Sequence, residues 1–189
     1  MSTITRETRE TRVRVTLELD GKGAGAAAPG AGAAPGIATG EPFLDHMLAT
    51  FARYAGIALA VEATGDLRHH LVEDVAITVG EALRRAIPPA CARYGERTVP
   101  MDDALVQAAL DAGGRAYWAG RVPSALYDHW FRSFADAARL TLHVRVLRGR
   151  DRHHVIEAAF KATGLALAQA LAPGGAVFST KGSVSLREE

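Results

Sequence analysis

A chain of 189 residues is long enough to bury a substantial core, as one domain or as two fused halves. Its 22 basic and 21 acidic residues nearly cancel, which leaves no electrostatic footprint for nucleic acid or an anionic membrane surface. The single cysteine, Cys91, excludes an internal disulfide and fits a reducing cytoplasm, the charged start MSTITRETRE does not read as a signal peptide, and no uncharged apolar run is long enough to span a bilayer.

Arg12 to Leu19 alternates strictly, with Val13, Val15, Leu17 and Leu19 on one side, and predicts a half-buried strand ended by Asp20-Gly21. Lys22 to Gly36 reads KGAGAAAPGAGAAPG and offers no large side chain to bury, so it is expected to be an enlarged, mobile loop. Phe43 to Tyr54 has helical spacing, with Phe43, Met47, Leu48 and Phe51 on one face. Ile57, Leu59 and Val61 mark a strand, and His69 to Ile87 a helix stopped by Pro88-Pro89. A linker is expected over Pro88 to Thr98. Beyond it come strands at Ala104–Leu110 and Ala116–Val122, a helix at Ser124–Ala138, a strand at Leu140–Val146, and a last helix at His153–Leu171, stopped before Pro173. This order predicts an α+β fold with the helices on one face of each sheet.

The second half repeats the first. An offset of 84 carries HHLVEDVAITVGEALRRAI (His69 to Ile87) onto HHVIEAAFKATGLALAQAL (His153 to Leu171), with His69 on His153, His70 on His154, Glu73 on Glu157 and Gly80 on Gly164. Upstream, an offset of 83 carries Asp45-His46 onto Asp128-His129 and Phe51 onto Phe134. The boundaries are therefore 1–90 for one half-repeat and 91–189 for the other, expected to form one compact unit. Core packing explains repeated alanines and leucines. It does not explain a twice-repeated His-His-x-x-Glu, which a duplicated metal site does.

On a helix, residues four apart share a face, so His69 with Glu73 and His153 with Glu157 can each grip one ion, while His70 and His154 diverge by about 100°. The simplest arrangement groups His46, His69 and Glu73 around one ion with His154 reaching over, and His129, His153 and Glu157 around a second with His70. Pairing of Glu73 with His70, and of Glu157 with His154, remains open at three-residue spacing. Three imidazoles and a carboxylate suit Mn, Fe, Co or Zn better than Ca or Mg. His143 lies in a predicted strand with no mate in the other half, and packing rather than ligation is expected of it.

With that constellation in place, the chain resembles the imidazoleglycerol-phosphate dehydratase family of histidine biosynthesis nearly end to end. The resemblance is carried by RETRET (Arg6 to Thr11), TGEPFLDHML (Thr39 to Leu48), HHLVEDVAITVGEAL, RYGERTVPMDDAL (Arg93 to Leu105), LDAGGR (Leu110 to Arg115), HWFRSFA (His129 to Ala135), HHVIEAAFKA (His153 to Ala162) and STKG (Ser179 to Gly182). It implies a duplicated α+β fold of the ribosomal protein S5 domain 2-like type, each half with a mixed sheet and two helices. It also implies two manganese ions per site, and trimers assembled into a larger cage with sites between subunits. The implied reaction removes water from D-erythro-imidazole glycerol phosphate to give imidazole acetol phosphate, through a metal-stabilised imidazolate. Matched by motif, Glu10, Glu73 and Glu157 belong to catalysis, with Glu10 as general acid/base. Arg93, Arg115, Lys161, Ser179 and Lys181 match the family's phosphate cluster, and cations with a hydroxyl are what a phosphate dianion requires.

This chain has only Leu67-Arg68 between Gly65-Asp66 and His69, shorter than the family's loop, and carries the 22–36 insertion. Those departures motivate an alternative, a paralogue that dehydrates another phosphorylated azole. A catalytically silent metal-bound assembly protein is a third reading, opposed by retention of Glu10 and the cation set.

Overall fold

The computed structural model describes residues 1–19 and 36–174. The Lys22–Gly36 segment falls, apart from Gly36, outside the described residues, and so do Ser179 and Lys181 of the STKG motif.

The first half runs β1 (Ser2–Glu7), β2 (Thr11–Leu19), β3 (Ile37–Ala38), α1 (Pro42–Ala55), β4 (Ile57–Gly65) and α2 (Arg68–Ala86). The second runs β5 (Tyr94–Met101), β6 (Ala104–Asp111), β7 (Tyr117–Gly120), α3 (Ala125–Ala138), β8 (Thr141–Arg148) and α4 (Arg152–Ala170). Each half makes one four-stranded sheet, in the orders β1-β2-β4-β3 and β5-β6-β8-β7. The pairings are antiparallel except β3 with β4 and β7 with β8, which are parallel, so each sheet is mixed. The predicted α+β duplication is what the chain adopts.

Alternation dictates which face is covered. Val13, Val15 and Leu17 on β2 and Leu59 and Val61 on β4 are completely buried, while Arg12, Arg14 and Glu18 face out. Helix α2 lies on β1 and β2, and α4 lies on β5 and β6. Helix contacts between the halves are crosswise, α1 against α4 and α2 against α3. One buried cluster spans both halves: Trp130 sits 4.5 Å from Phe160 and 6.4 Å from Phe51 between ring centroids, and all three are fully buried. Each such side chain stabilises the fold by roughly 1.5–3 kcal/mol through burial.

Glycines set how close the crossing helices come. A Cβ at Gly80 would meet Ala137 Cβ and Phe134 O at 2.8 Å, and one at Gly164 would meet Phe51 O at 2.8 Å. The positions in contact, 134 and 51, are themselves repeat mates. Gly80 and Gly164 lie late in α2 and α4, and they touch residues late in α3 and α1. The paired helices therefore run side by side in the same direction, N-terminal end beside N-terminal end.

Helix ends follow the local chemistry. Pro42 occupies the first turn of α1, Ser124 caps α3 and Asp151 caps α4, its side chain accepting from His153 N. Helix α1 closes on Gly56 at φ 64°, whereas its counterpart α3 closes on Arg139 at φ 57°, the left-handed region glycine favours.

Three strands were not foreseen, and the expected linker is too long. β1 is an edge strand whose inward positions are only partly buried, and β3 has two residues. The link between halves is confined to residues 87–93, because β5 begins at Tyr94. Among the described residues no helix is long and apolar enough to cross a membrane.

Candidate metal centre

The four helices deliver the repeated histidines to their N-terminal ends. His46 and His129 open the second turns of α1 and α3, each behind an aspartate that ties down the preceding loop. Asp45 accepts from Thr39 N at 2.9 Å and from the Thr39 hydroxyl at 2.5 Å, and Asp128 accepts from Val122 N at 3.1 Å. The Asp-His pair is thus an anchor followed by a candidate ligand. His69 and Glu73 share one face of α2, and His153 and Glu157 the matching face of α4.

Two trios result. His46, His153 and Glu157 form one, and His69, Glu73 and His129 the other, with candidate ligand atoms within 4.8 Å of one another in each. In the first, Glu157 Oε2 lies 3.3 Å from His46 Nε2 and 3.1 Å from His153 Nε2. In the second, Glu73 lies 3.7 Å from His69 Nε2 and 3.1 Å from His129 Nε2. The His69 and His129 rings stack with centroids 5.0 Å apart.

This corrects the expected grouping. His46 joins His153 and Glu157, not His69 and Glu73, and His129 joins His69 and Glu73. The cause is the crosswise helix packing: α1 neighbours α4 and α2 neighbours α3, so every trio draws one histidine from one half and a His/Glu pair from the other. Nor does either remaining histidine reach across. His70 Nδ1 lies 3.1 Å from Asp66 and 3.4 Å from Glu10, and His154 Nδ1 lies 2.8 Å from Asp103 with Nε2 3.3 Å from Asp102. His154 turns to the β5–β6 turn of its own sheet, and His70 to the β4–α2 link and the β1–β2 turn. Glu10, Asp66 and His70 form a third close group.

Electrostatics favour charged carboxylates here. Burial pushes the Glu157 carboxyl up, but hydrogen bonds and charge from Lys161 and His46 outweigh it and hold it below its ordinary value. The hydrogen bond from His154, joined by the backbone N–H groups of Arg150 and Asp151, holds Asp103 far below the usual carboxylate range and raises His154 in turn. Asp66 and His70 shift each other likewise, through their mutual hydrogen bond.

Among the described residues, the expected phosphate residues Arg93, Arg115 and Lys161 fall in two places: Arg93 and Arg115 beside Asp111, and Lys161 beside Glu157. Lys161 Nζ lies 3.0 Å from Glu157 Oε1, one helical turn along α4. Arg93 sits at the C-terminal end of that helix, its backbone N–H donating to Ala170 O at 2.8 Å, roughly 13 Å along the axis from the mid-helix Lys161 at 1.5 Å per residue. Its guanidinium donates to both oxygens of Asp111 at 2.6 and 2.9 Å, and Arg115 adds its charge beside Asp111. Arg93 lines a cavity of about 440 Å³ with Arg84 and Arg139, two cations not picked out from the sequence. Arg139 carries a readable signal, since it replaces the repeat's glycine at a left-handed helix end. His143 lies in β8, exposed, with its ring 5.7 Å from that of Tyr117 and in none of the three groups.

The imidazoleglycerol-phosphate dehydratase family model matches residues 39–167. The imidazoleglycerol-phosphate dehydratase of Pyrobaculum calidifontis is 47% identical over 94% of this chain and 96% of its own, and that of Methanoculleus marisnigri 44% over 97% and 98%. The crystal structure of the Pyrococcus furiosus enzyme superposes with a TM-score of 0.82 at 38% identity, covering 96% of this chain and 100% of that one. The Staphylococcus aureus enzyme gives 0.77 at 32%, covering 91% and 98%.

Proposed function

The chain belongs to the imidazoleglycerol-phosphate dehydratase family, lyases of histidine biosynthesis, and from that premise we propose that it dehydrates D-erythro-imidazole glycerol phosphate to imidazole acetol phosphate using two divalent metal ions. The observation that carries the metal reading is the pair of trios, alike in composition and placed at matching ends of two helix pairs. The donor set fits an ion of the Mn, Fe, Co or Zn type, and manganese is the choice the resemblance favours. His129 Nε2 adds a direct sign. It is buried and finds no partner of hydrogen-bonding geometry among the described residues, although Glu73 Oε1 lies 3.1 Å away. A lone pair left over in a carboxylate-lined site is what a cation would occupy. When bound, such ions supply Lewis acidity that favours a negatively charged azole ring.

The chain's own groups supply the rest. Dehydration breaks one C–O and one C–H bond and releases water, leaving an enol; the enol then gives up its O–H proton and takes a proton on carbon, forming a new C–H bond and the ketone. Glu10 is the acid/base candidate: its carboxylate is more than half exposed on the β1–β2 turn and beside His70, placed to hold or move a proton at its Oε2. Arg93, Arg115 and Lys161, with Ser179 and Lys181, are proposed to bind the phosphate, and Arg84 and Arg139 extend the same basic cavity. Because Lys161 lies midway along α4 and is turned to Glu157, whereas Arg93 lies at the C-terminal end of that helix and is turned to Asp111, a single phosphate is proposed to draw on more than one copy. The same follows for His70 and His154, which leave their own chain's trios unserved and so are proposed to complete sites on neighbouring copies in a trimer-based cage. A cytoplasmic location belongs to this reading, supported by the free, buried Cys91.

The test is direct. Protein stripped with chelator and reloaded with Mn²⁺ should convert the substrate to imidazole acetol phosphate, and the stripped protein should not. Absence of product from the reloaded protein would refute the reading.

A further inference from the structure

Among the described residues, Asp74 is the one buried acidic side chain that the trios do not use. It points from α2 towards the β1–β2 hairpin. One of its oxygens accepts from Arg6 Nε at 2.8 Å and the other from the Thr11 hydroxyl, so it holds the strand before the turn and the strand after it. Between those two anchors the turn is fixed locally. The Thr8 hydroxyl accepts from Glu10 N at 3.1 Å and Thr11 N at 3.0 Å, and Glu10 O accepts from Asp66 N at 3.0 Å. Glu10 is the residue so enclosed, with its carboxylate 3.4 Å from His70 Nδ1.

The repeat shows that stability alone does not require this carboxylate. The position matching Asp74 in α4 is Ala158, fully buried. The β5–β6 turn is held from outside instead, by Asp103 accepting from Arg150 N at 2.6 Å and Asp151 N at 3.1 Å. A buried carboxylate is a poor route to stability compared with an apolar side chain, and its attested use is to fix one arrangement among several. Here the arrangement fixed is the position of the Glu10 turn against the N-terminal end of α2.

We propose that Asp74 is a positioning residue for the dehydration: through Arg6 and Thr11 it holds Glu10 where a proton must be delivered or taken. The proposal rests on the reading of Glu10 as the acid/base. Proton transfer is steeply sensitive to placement, and a shift of about 1 Å can cost on the order of a hundredfold in rate.

Asp74→Asn keeps the volume and removes the charge. Its kcat should fall at least about tenfold, with KM within about threefold of the unaltered value, because the interaction lost acts on the reaction rather than on binding. Metal content should stay the same, and amide exchange at residues 8–11 should quicken. The deciding comparison is a double-mutant cycle: in a Glu10→Gln background, Asp74→Asn should cause little further loss, since it acts through a group already removed. An equal loss in both backgrounds overturns the proposal, as does full kcat in Asp74→Asn beside an impaired Glu10→Gln. An unimpaired Glu10→Gln protein overturns the Glu10 reading, and the Asp74 proposal with it. Should Asp74→Asn not fold, Thr11→Val carries the test: kcat falls and Thr11→Ser restores it, and equal kcat in all three proteins counts against the proposal.

Discussion

Gly80→Ala offers a sharp test of the crosswise site. The new Cβ would lie 2.8 Å from Ala137 Cβ and Phe134 O and 2.9 Å from Ala138 N, mostly helix backbone that cannot swing aside. Carbon–carbon contacts settle near 3.5–4.0 Å, so α2 and α3 must part by about 1 Å. Overpacking of this kind costs about 1–3 kcal/mol, and the better helix propensity of alanine returns about 1 kcal/mol. The net loss is therefore about 1 kcal/mol, a fall in Tm of about 2–4 °C for a chain of this length. The effect on the metal is larger. The same movement separates His129 on α3 from His69 and Glu73 on α2, and coordination distances tolerate only about 0.2 Å. Affinity at that trio should fall by about ten- to a hundredfold, the range expected when ligand orientation is disturbed. The His46–His153–Glu157 trio should keep its ion. The assay is metal content after dialysis against a graded chelator, in three backgrounds. Gly80→Ala should empty the remaining site of a His46→Ala protein and remove nothing further from a His129→Ala protein. The opposite pattern, or full occupancy at unchanged affinity throughout, would refute the argument from helix spacing.

His46→Ala and His129→Ala should each lose about one ion per chain by the ligand-count argument, and His143→Ala none; equal loss from all three would overturn the assignment. Chelation should reduce the particle size on size-exclusion chromatography, because it leaves imidazoles and carboxylates crowded without the bridging cation; an unchanged elution volume counts against metal-built assembly. Arg139→Gly should stabilise the fold by about 1 kcal/mol, raising Tm by about 2–4 °C, since the left-handed conformation at φ 57° no longer strains a side chain. A lower Tm would show that the arginine's contacts outweigh the strain. The hydrogen bond from Arg93 lowers the Asp111 pKa, so this pair stabilises the fold fully above the unfolded value of about 3.9 and less as pH falls through the folded value. Asp111→Asn should therefore lower the urea midpoint at pH 7, and the gap to the unaltered protein should narrow as pH falls below about 4; a gap that does not change with pH refutes this.

The helices were legible because apolar spacing and proline stops act locally, and each of the four was placed within about two residues at either end, as boundary assignment allows. β5 was missed for a physical reason. Its inward positions are Gly95, Arg97, Val99 and Met101, so the apolar alternation that marks a strand is interrupted. Gly95 is required because α4 lies on top of it: a Cβ there would stand 1.9 Å from Ala166 O. Tight helix–sheet contact removed the signal that would have revealed the strand. The six residues that gather into the two trios were legible as candidates, because a repeated His and Glu pattern is one that packing does not need. Their grouping was not, because a repeat says which residues are equivalent and nothing about which helices meet. Asp66, Asp74, Asp102 and Asp103 were passed over, since a lone acidic residue in a turn or helix has no distinguishing pattern until its neighbours are known.

The exchange of helices between halves bears on how such a chain could arise. Of the residues in the trios, a single half owns one His/Glu pair and one further histidine, and these lie on helices that do not pack together. It can complete no trio. Two identical halves placed as α1–α4 and α2–α3 are placed here would complete two, each spanning the interface. A half-length ancestor with this packing is a dimer by necessity, its chemistry available only at the seam. Fusion frees the two copies to differ while preserving the seam, and the chain records such differences: Asp74 against Ala158, and Gly56 against Arg139. Residues 1–90 and 91–189 produced as separate polypeptides should each be inert and should regain metal binding when mixed.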